Sequence, residues 1–321
     1  MFIPTTAFLG EYLTLYRAND DVYVKESQPY NRSMKVRSGL QGGGLRITEV
    51  DEQDEREVGY KSVLDFGREA KVYYPHNVGE YPTKILPHVA RLLVRRFSRK
   101  GDTILDPFCG AGTFAIEAKI AGRNSINYDI NPKAVELAKQ RLALINPING
   151  ENNTTHIVEV HDSRTLPLPN ESMDAVITDI PYANMIKYSD IPNDLSTIED
   201  YSAFLAEIKR AFAEVWRVLK WDKYCVIFVC DYRIAAARKI LPVHSDIIQI
   251  MRELGFTVFD IYVWRYYRSG GFRPFGVRPY QAMNIHSYIL VFHKRRQDIN
   301  KQNRPVRFRR RLIEKLKKNQ A

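Results

Sequence analysis

The 321-residue chain predicts an α/β fold built on a mostly parallel, seven-stranded sheet with an antiparallel final strand pair. Three observations lead there. Short apolar strand patterns alternate with helical patterns through the middle of the chain, as crossover helices between parallel strands require. A glycine-bearing turn follows the first of these strands directly. The last two strand patterns have no helical pattern between them, which favours antiparallel pairing.

Residues 1–75 form one compositional unit, with the run Gly42-Gly43-Gly44 and an acidic stretch from Glu49 to Glu57. No catalytic motif stands out there, and the glycines read as a flexible turn. From Tyr81 the texture changes. The helical pattern ILPHVARLLVRRF places Pro87 near its first turn, where the missing N–H costs nothing. Gly101-Asp102 break the pattern, and the strand Thr103-Ile104-Leu105 follows. Next come a helix over Ala115–Ala121, a strand over Ser125–Tyr128, a helix over Pro132–Leu144, and strands over Ile157–Val160 and Ala175–Thr178. A helix over Tyr201–Leu219 precedes a strand over Cys225–Cys230. Thr257–Trp264 and Ser287–His293 supply the closing pair. The expected organisation is an N-terminal extension (1–75), a main domain (76–295) and a basic tail (296–321).

Charge and cysteine usage narrow the class. The net charge is +11, yet Lys294 to Ala321 hold twelve Lys or Arg against Asp298 and Glu314, so the preceding body is nearly neutral. A concentrated basic tail suits a nucleic-acid partner or a solvated arm. Cys109, Cys225 and Cys230 show no CxxC spacing, which argues against a disulfide framework and for a reducing, cytoplasmic setting. No apolar run approaches the ~20 residues of a membrane span, and no secretory leader is recognisable. No His/Cys/Asp/Glu cluster suggests a metal. Oligomeric state is not legible.

The chemistry concentrates at strand ends. The first strand runs into Asp106-Pro107-Phe108-Cys109-Gly110-Ala111-Gly112-Thr113 and then a helix. Glycines at such a turn permit close backbone approach, and the helix N-terminus offers free N–H groups. The GxGxxG spacing of a dinucleotide site is absent. Asp129 ends the next strand, where an acidic residue can accept both hydroxyls of a ribose, and Asp162 ends the one after, within reach of an adenine amine. Each aspartate also reads as a helix cap. The strand Asp174–Thr178 leads into Asp179-Ile180-Pro181-Tyr182. An aromatic amine is a poor nucleophile because its lone pair is delocalised. Acceptance of its hydrogens by Asp179 and by the Ile180 carbonyl draws the nitrogen toward tetrahedral geometry, while Tyr182 stacks on the ring and Pro181 fixes the turn.

The run DPFCGAGT, followed by NYDINPKAVELAKQRL, resembles the S-adenosylmethionine site of the DNA amino-methyltransferases, the N4-cytosine and N6-adenine family. Tyr81-Pro82-Thr83-Lys84 resembles that family's additional cofactor-flanking segment, and HSYILVFHK its final strand, so the likeness covers about residues 76–295. It implies a Rossmann-like class I methyltransferase fold. It implies S-adenosylmethionine held by Tyr81, Thr83, Asp106, Phe108, Gly110, Gly112, Thr113, Asp129, Ile130 and Asp162. It also implies catalysis by Asp179, Ile180, Pro181 and Tyr182. Ile180 stands where the family carries proline, so loop rigidity is expected to fall.

Lys187 and Tyr188, in the irregular segment after the tetrad, are candidate contacts to the target strand. Arg268 and Arg273 belong to RYYRSGGFRPFGVR, where arginines interleave with aromatics as phosphate contact and base stacking demand. The expected partner is nucleic acid, DNA before RNA, with cytosine N4 slightly ahead of adenine N6. The rivals are the same chemistry on ribosomal or transfer RNA, and a non-catalytic nucleic-acid-binding protein on a decayed fold. C5-cytosine methylation needs an exposed thiolate, whereas Cys225 and Cys230 sit in an apolar strand and read as core thiols.

Overall fold

The computed structural model describes residues 13–18, 21–26, 33–36, 61–66, 72–82, 85–145, 154–182, 188–234, 239–265 and 286–296. Strands β1 (Leu13–Ala18), β2 (Asp21–Glu26) and β3 (Ser33–Val36) make a small antiparallel sheet of their own. The remaining strands are β4 (Val63–Asp65), β5 (Thr103–Asp106), β6 (Asn124–Asp129), β7 (His156–Val160), β8 (Met173–Asp179), β9 (Leu219–Val229), β10 (Tyr232–Ile234), β11 (Lys239–Leu241), β12 (Thr257–Arg265) and β13 (His286–Lys294). Helices are α1 (Pro87–Phe97), α2 (Thr113–Ile120), α3 (Pro132–Ala143), α4 (Tyr201–Val218) and α5 (Val243–Glu253).

The main sheet has the order β4-β12-β13-β9-β8-β5-β6-β7. β13 runs antiparallel to both its neighbours, and every other pairing in the sheet is parallel. This is the expected Rossmann-like class I methyltransferase architecture. The final pair β12 and β13 is antiparallel as expected, with β13 inserted between β9 and β12. One detail differs: the sheet has eight strands, because β4 adds in parallel to β12. β10 and β11 form a separate two-stranded ribbon.

Both faces of the sheet are covered, which is why its central strands are apolar without alternation. On β9, Val226 and Phe228 join the cluster under α1, while Cys225, Ile227 and Val229 join the cluster under α4 and α5. Helix starts follow local chemistry. Pro87 opens α1, and Pro132 opens α3 behind Asn131, whose side chain accepts the Lys133 N–H at 3.0 Å. Asp200 caps α4 by accepting from the Ala203 N–H at 2.7 Å.

The chain order reverses between β5 and β8, so a crevice opens beyond the carboxyl ends of the central strands. Asp106, Asp129 and Asp179 are the last residues of β5, β6 and β8. The topology alone brings these three carboxylates to one edge.

Candidate active site

A single cavity at that edge is lined by Tyr81, Asp106, Phe108, Gly110, Thr113, Asp129, Ile130, Asp162, Asp179, Ile180, Pro181 and Tyr188, among others. Sequences far apart in the chain therefore converge as expected. Gly112 does not reach the wall: it caps α2 with φ 80°, and a Cβ there would lie 2.9 Å from that of Ala138. Tyr182 reaches the site through Asp179. Thr83, Lys187, Arg268, Arg273 and the tail beyond residue 296 lie outside the described residues.

Asp106 is buried, and its Oδ1 accepts from the Thr178 hydroxyl at 2.7 Å and the Phe108 N–H at 3.2 Å. Asp129 accepts from the Gly110 N–H at 2.8 Å and the Asn131 N–H at 2.9 Å, so it braces the glycine turn as well as facing the cavity. Gly110 has φ 47°, and a Cβ there would sit 2.8 Å from the Tyr81 hydroxyl. Asp162 lines the cavity, but its carboxylate is held by Arg164, with Nη2 at 2.6 Å and Nε at 2.8 Å, and accepts the Arg164 N–H at 2.9 Å. Burial pushes the Asp162 carboxyl up, and the Arg164 bonds more than reverse this.

At the tetrad, the Tyr182 hydroxyl donates to Asp179 Oδ1 at 2.8 Å. Ile180 is 1% exposed and packs into the core beneath α4. The rigidity expected to be lost without proline is supplied by side-chain packing instead. Cys109 and Cys225 are buried, and burial drives both thiols up. Cys230 departs from expectation: it lies just past β9 and is half-buried, with Sγ 3.3 Å from the Asp231 carbonyl.

Tyr188 takes a different place from the one expected, and Asp194, Arg141 and Lys294 carried no recognisable site signal in the sequence. Tyr188, expected on the substrate side, stacks on Tyr81 at 6.0 Å and 27°, and its carbonyl accepts from Asn131 Nδ2 at 3.1 Å. Asp194 is buried on the cavity wall, accepting from the Ser196 N–H at 2.8 Å and from the Ser189 hydroxyl. Arg141 of α3 is buried and donates to the carbonyls of Val78 (2.8 Å) and Ala111 (3.1 Å). It thereby ties the segment before Tyr81 to the glycine turn. Lys294, counted by composition with the basic tail, is instead 2% exposed, and its Nζ donates to the Trp216 and Leu219 carbonyls at 2.6 Å. It neutralises the carboxyl end of α4.

A sequence model of the family described as DNA methylase matches residues 10–140 and 173–320, most of the chain. The chain belongs to this family. A second family model, for the RMKL-like methyltransferase domain, matches residues 77–227. Over 103 residues (32% of the chain) the protein is 38% identical to a tRNA (guanine(10)-N2)-dimethyltransferase of Methanothermobacter thermautotrophicus, covering 29% of that protein. Over 140 residues (44% of the chain) it is 30% identical to the type II methyltransferase M.HpaI of Haemophilus parainfluenzae, covering 40% of that protein. The chain thus spans less than half the length of these curated relatives. Among solved structures, a SAM-dependent methyltransferase from Methanosarcina mazei overlays with a TM-score of 0.43 at 17% identity, covering 63% of this chain and 96% of that one.

S-adenosylmethionine is the cofactor that family membership implies, and the cavity chemistry fits it. Five aspartates line the wall, with no lysine or arginine among the described lining residues. Such a wall repels a pyrophosphate and favours a cationic sulfonium nucleoside. Asp106, Asp129 and Asp162 belong to that wall, and are the residues that would hold the cofactor.

The electrostatics give a pH prediction. Burial pushes Asp106 up to about 8, Asp129 up to about 6 and Asp179 up to about 7. A carboxyl raised on folding stabilises the fold most below its unfolded value, and loses that contribution as pH climbs through the folded value. The free protein should therefore lose thermal stability between about pH 4 and pH 8 from these groups. A cationic ligand reverses the shifts, so the Tm gain on adding S-adenosylmethionine should grow from pH 5.5 to pH 8. A gain independent of pH would exclude charge pairing with these aspartates.

Proposed function

We propose that the protein transfers a methyl group from S-adenosylmethionine to the exocyclic amine of a base in nucleic acid, with DNA the preferred substrate and cytosine N4 slightly ahead of adenine N6. The observation that carries the reading is the placement of Asp179 and the Ile180 backbone on the same cavity wall as the Gly110 turn and Asp129.

In this reading Asp179 and the Ile180 carbonyl accept hydrogen bonds from the amine and aim its lone pair at the methyl donor. Positioning of this kind supplies on the order of 7–11 kcal/mol of barrier reduction. With its pKa raised to about 7, Asp179 is also suited to take the proton that the amine sheds after methylation. Its own ionised form is needed at the start, so the rate should rise with pH to a plateau above neutrality. Tyr182 is held in its neutral form, first by burial and then by Asp179, and remains a hydroxyl that orients the carboxylate. A base within duplex would have to leave the stack, at a cost of a few kcal/mol. When bound, S-adenosylmethionine supplies an electrophilic methyl on sulfur.

The similarity to a tRNA dimethyltransferase keeps an RNA amine as the second reading, since the chemistry is the same. Incubation with labelled cofactor and separate DNA, ribosomal RNA and transfer RNA, followed by nucleoside mass spectrometry, identifies the product. Methylated N4-cytosine in DNA is the expected result; label confined to an RNA nucleoside selects the second reading. No label, with no calorimetric binding of cofactor, would leave a non-catalytic binding protein.

The basic tail is proposed to hold phosphates. Deleting residues 304–321 should weaken substrate binding and flatten its salt dependence. Neutralising about six phosphates would make affinity fall on the order of a thousandfold between low and moderate salt. An unchanged slope after deletion removes the tail from the interface.

A further inference from the structure

Asp129, Asp106 and Asp179 end β6, β5 and β8, while Asp162 and Asp231 lie two residues beyond β7 and β9. Asp162, Asp129, Asp106 and Asp179 line the cavity, whereas Asp231 has no part in the chemistry above. Asp179 pairs in register with Phe228, so the end of β9 is the next position along the sheet from Asp179, on the side away from β5 and β6. Cys230, beside Asp231, is near enough to contribute to keeping the Tyr182 hydroxyl neutral, after burial and Asp179.

Asp231 is buried and holds a histidine. It accepts the His244 backbone N–H at 3.0 Å, and the ring Nδ1 lies 2.8 and 2.7 Å from its two carboxylate oxygens. The ring is also stacked on Tyr288 at 4.1 Å and 21°, and His286 meets Tyr288 edge-on at 5.1 Å. A carboxylate bonded to Nδ1 fixes a proton there, and the tautomer so selected presents Nε2 as an acceptor. The His244 side chain is 27% exposed, and among the described residues its Nε2 has no bond. The Asp231 carboxylate just past β9 and the Tyr288 ring of β13 therefore lock the orientation of one ring while leaving its far nitrogen open. Phosphate oxygens are acceptors too and cannot satisfy an acceptor. The donors that nucleic acid offers are base-edge N–H groups and, in RNA, the ribose 2′-hydroxyl; a ring held flat against an aromatic neighbour favours the base edge.

We infer that His244 is a substrate-binding residue whose Nε2 accepts a hydrogen bond from the edge of a base beside the methylated one, with Asp231 and Tyr288 as its positioning residues. This rests on the nucleic-acid amino-methyltransferase reading. It adds a specificity contact on the face of the sheet edge opposite the cofactor.

The test is steady-state methylation of the nucleic acid that the wild-type protein methylates, varied in concentration and salt. His244→Ala should raise KM for nucleic acid about tenfold or more, as loss of one base contact does, with kcat within about twofold and the salt slope unchanged. His244→Gln, whose amide oxygen can accept, should recover much of that loss. Asp231→Asn should resemble His244→Ala, because its amide can turn the ring's proton to Nε2. Calorimetric affinity for S-adenosylmethionine should be unchanged in all three, which reports an intact fold. The inference is overturned by an unaltered KM, by equal loss in the Gln variant, or by loss of cofactor affinity. A salt slope flattened by about one also overturns it, since that marks a phosphate contact. Absence of methylation by the wild type would remove the underlying reading; methylation that survives His244→Ala intact removes only this contact.

Discussion

Replacing Asp179 with alanine should lower methyl transfer by at least two to three orders of magnitude while leaving S-adenosylmethionine affinity within about twofold. The magnitude follows from the loss of one preorganised polar contact, about 3–4 kcal/mol in a dry site. The selectivity follows from geometry. Asp179 ends β8, whereas Asp129, proposed to take the ribose, and the turn at Gly110 belong to β6 and the loop after β5. Asp179→Asn separates its two roles: an amide oxygen still accepts a hydrogen bond but cannot take a proton. A partial rate with a lost pH dependence identifies proton acceptance as the second role. Equal loss of transfer and cofactor binding would instead mean that Asp179 holds the cavity together.

The largest stability effect is expected at Glu117, a residue with no place in any motif. It is 0% exposed on α2, and its carboxylate accepts from Tyr73 Oη, His76 Nε2 and Arg91 Nε, each at 2.8 Å. Burial alone would push its carboxyl up; the Arg91 charge and the His76 bond instead hold it at about 2. Glu117→Ala removes the carboxylate that the buried Arg91 guanidinium meets, and breaking such a buried pair costs about 3–5 kcal/mol. That is a large share of the ~5–15 kcal/mol that keeps a domain folded. A urea midpoint shifted by less than the equivalent of about 1 kcal/mol would contradict the assignment. Because this carboxyl is depressed, its contribution is present above about pH 4.5 and lost as pH falls toward about 2. Tyr73 and His76 precede Tyr81 by only a few residues, so the same variant should also weaken cofactor binding.

This cluster explains how the segment before Tyr81 finds the cavity. Composition groups residues up to 75 with the N-terminal extension, yet β4 joins the main sheet, and Tyr73 reaches the core through Glu117. Neither feature is legible beforehand. A three-residue strand has too few positions for an alternation to register, and a buried ion cluster draws its members from three separated stretches. Helix α5, by contrast, carries a local signal: Val243, Ile247, Ile250 and Met251 recur at helical spacing and pack under the sheet.

The amino-acid sequence by itself determined the alternating architecture, the glycine turn with its aspartates and the order in which cofactor turn and tetrad occur. Those features are local: each depends on residue types within one strand and the turn that follows it. The tertiary structure alone decided that β13 lies between β9 and β12, that Ile180 anchors the tetrad through the core, and that Tyr188 leans on Tyr81. It also decided that Asp231, just past β9, grips His244 of α5. Each of these is a contact between distant stretches, set by how burial of both sheet faces is satisfied, and no spacing along one strand encodes it.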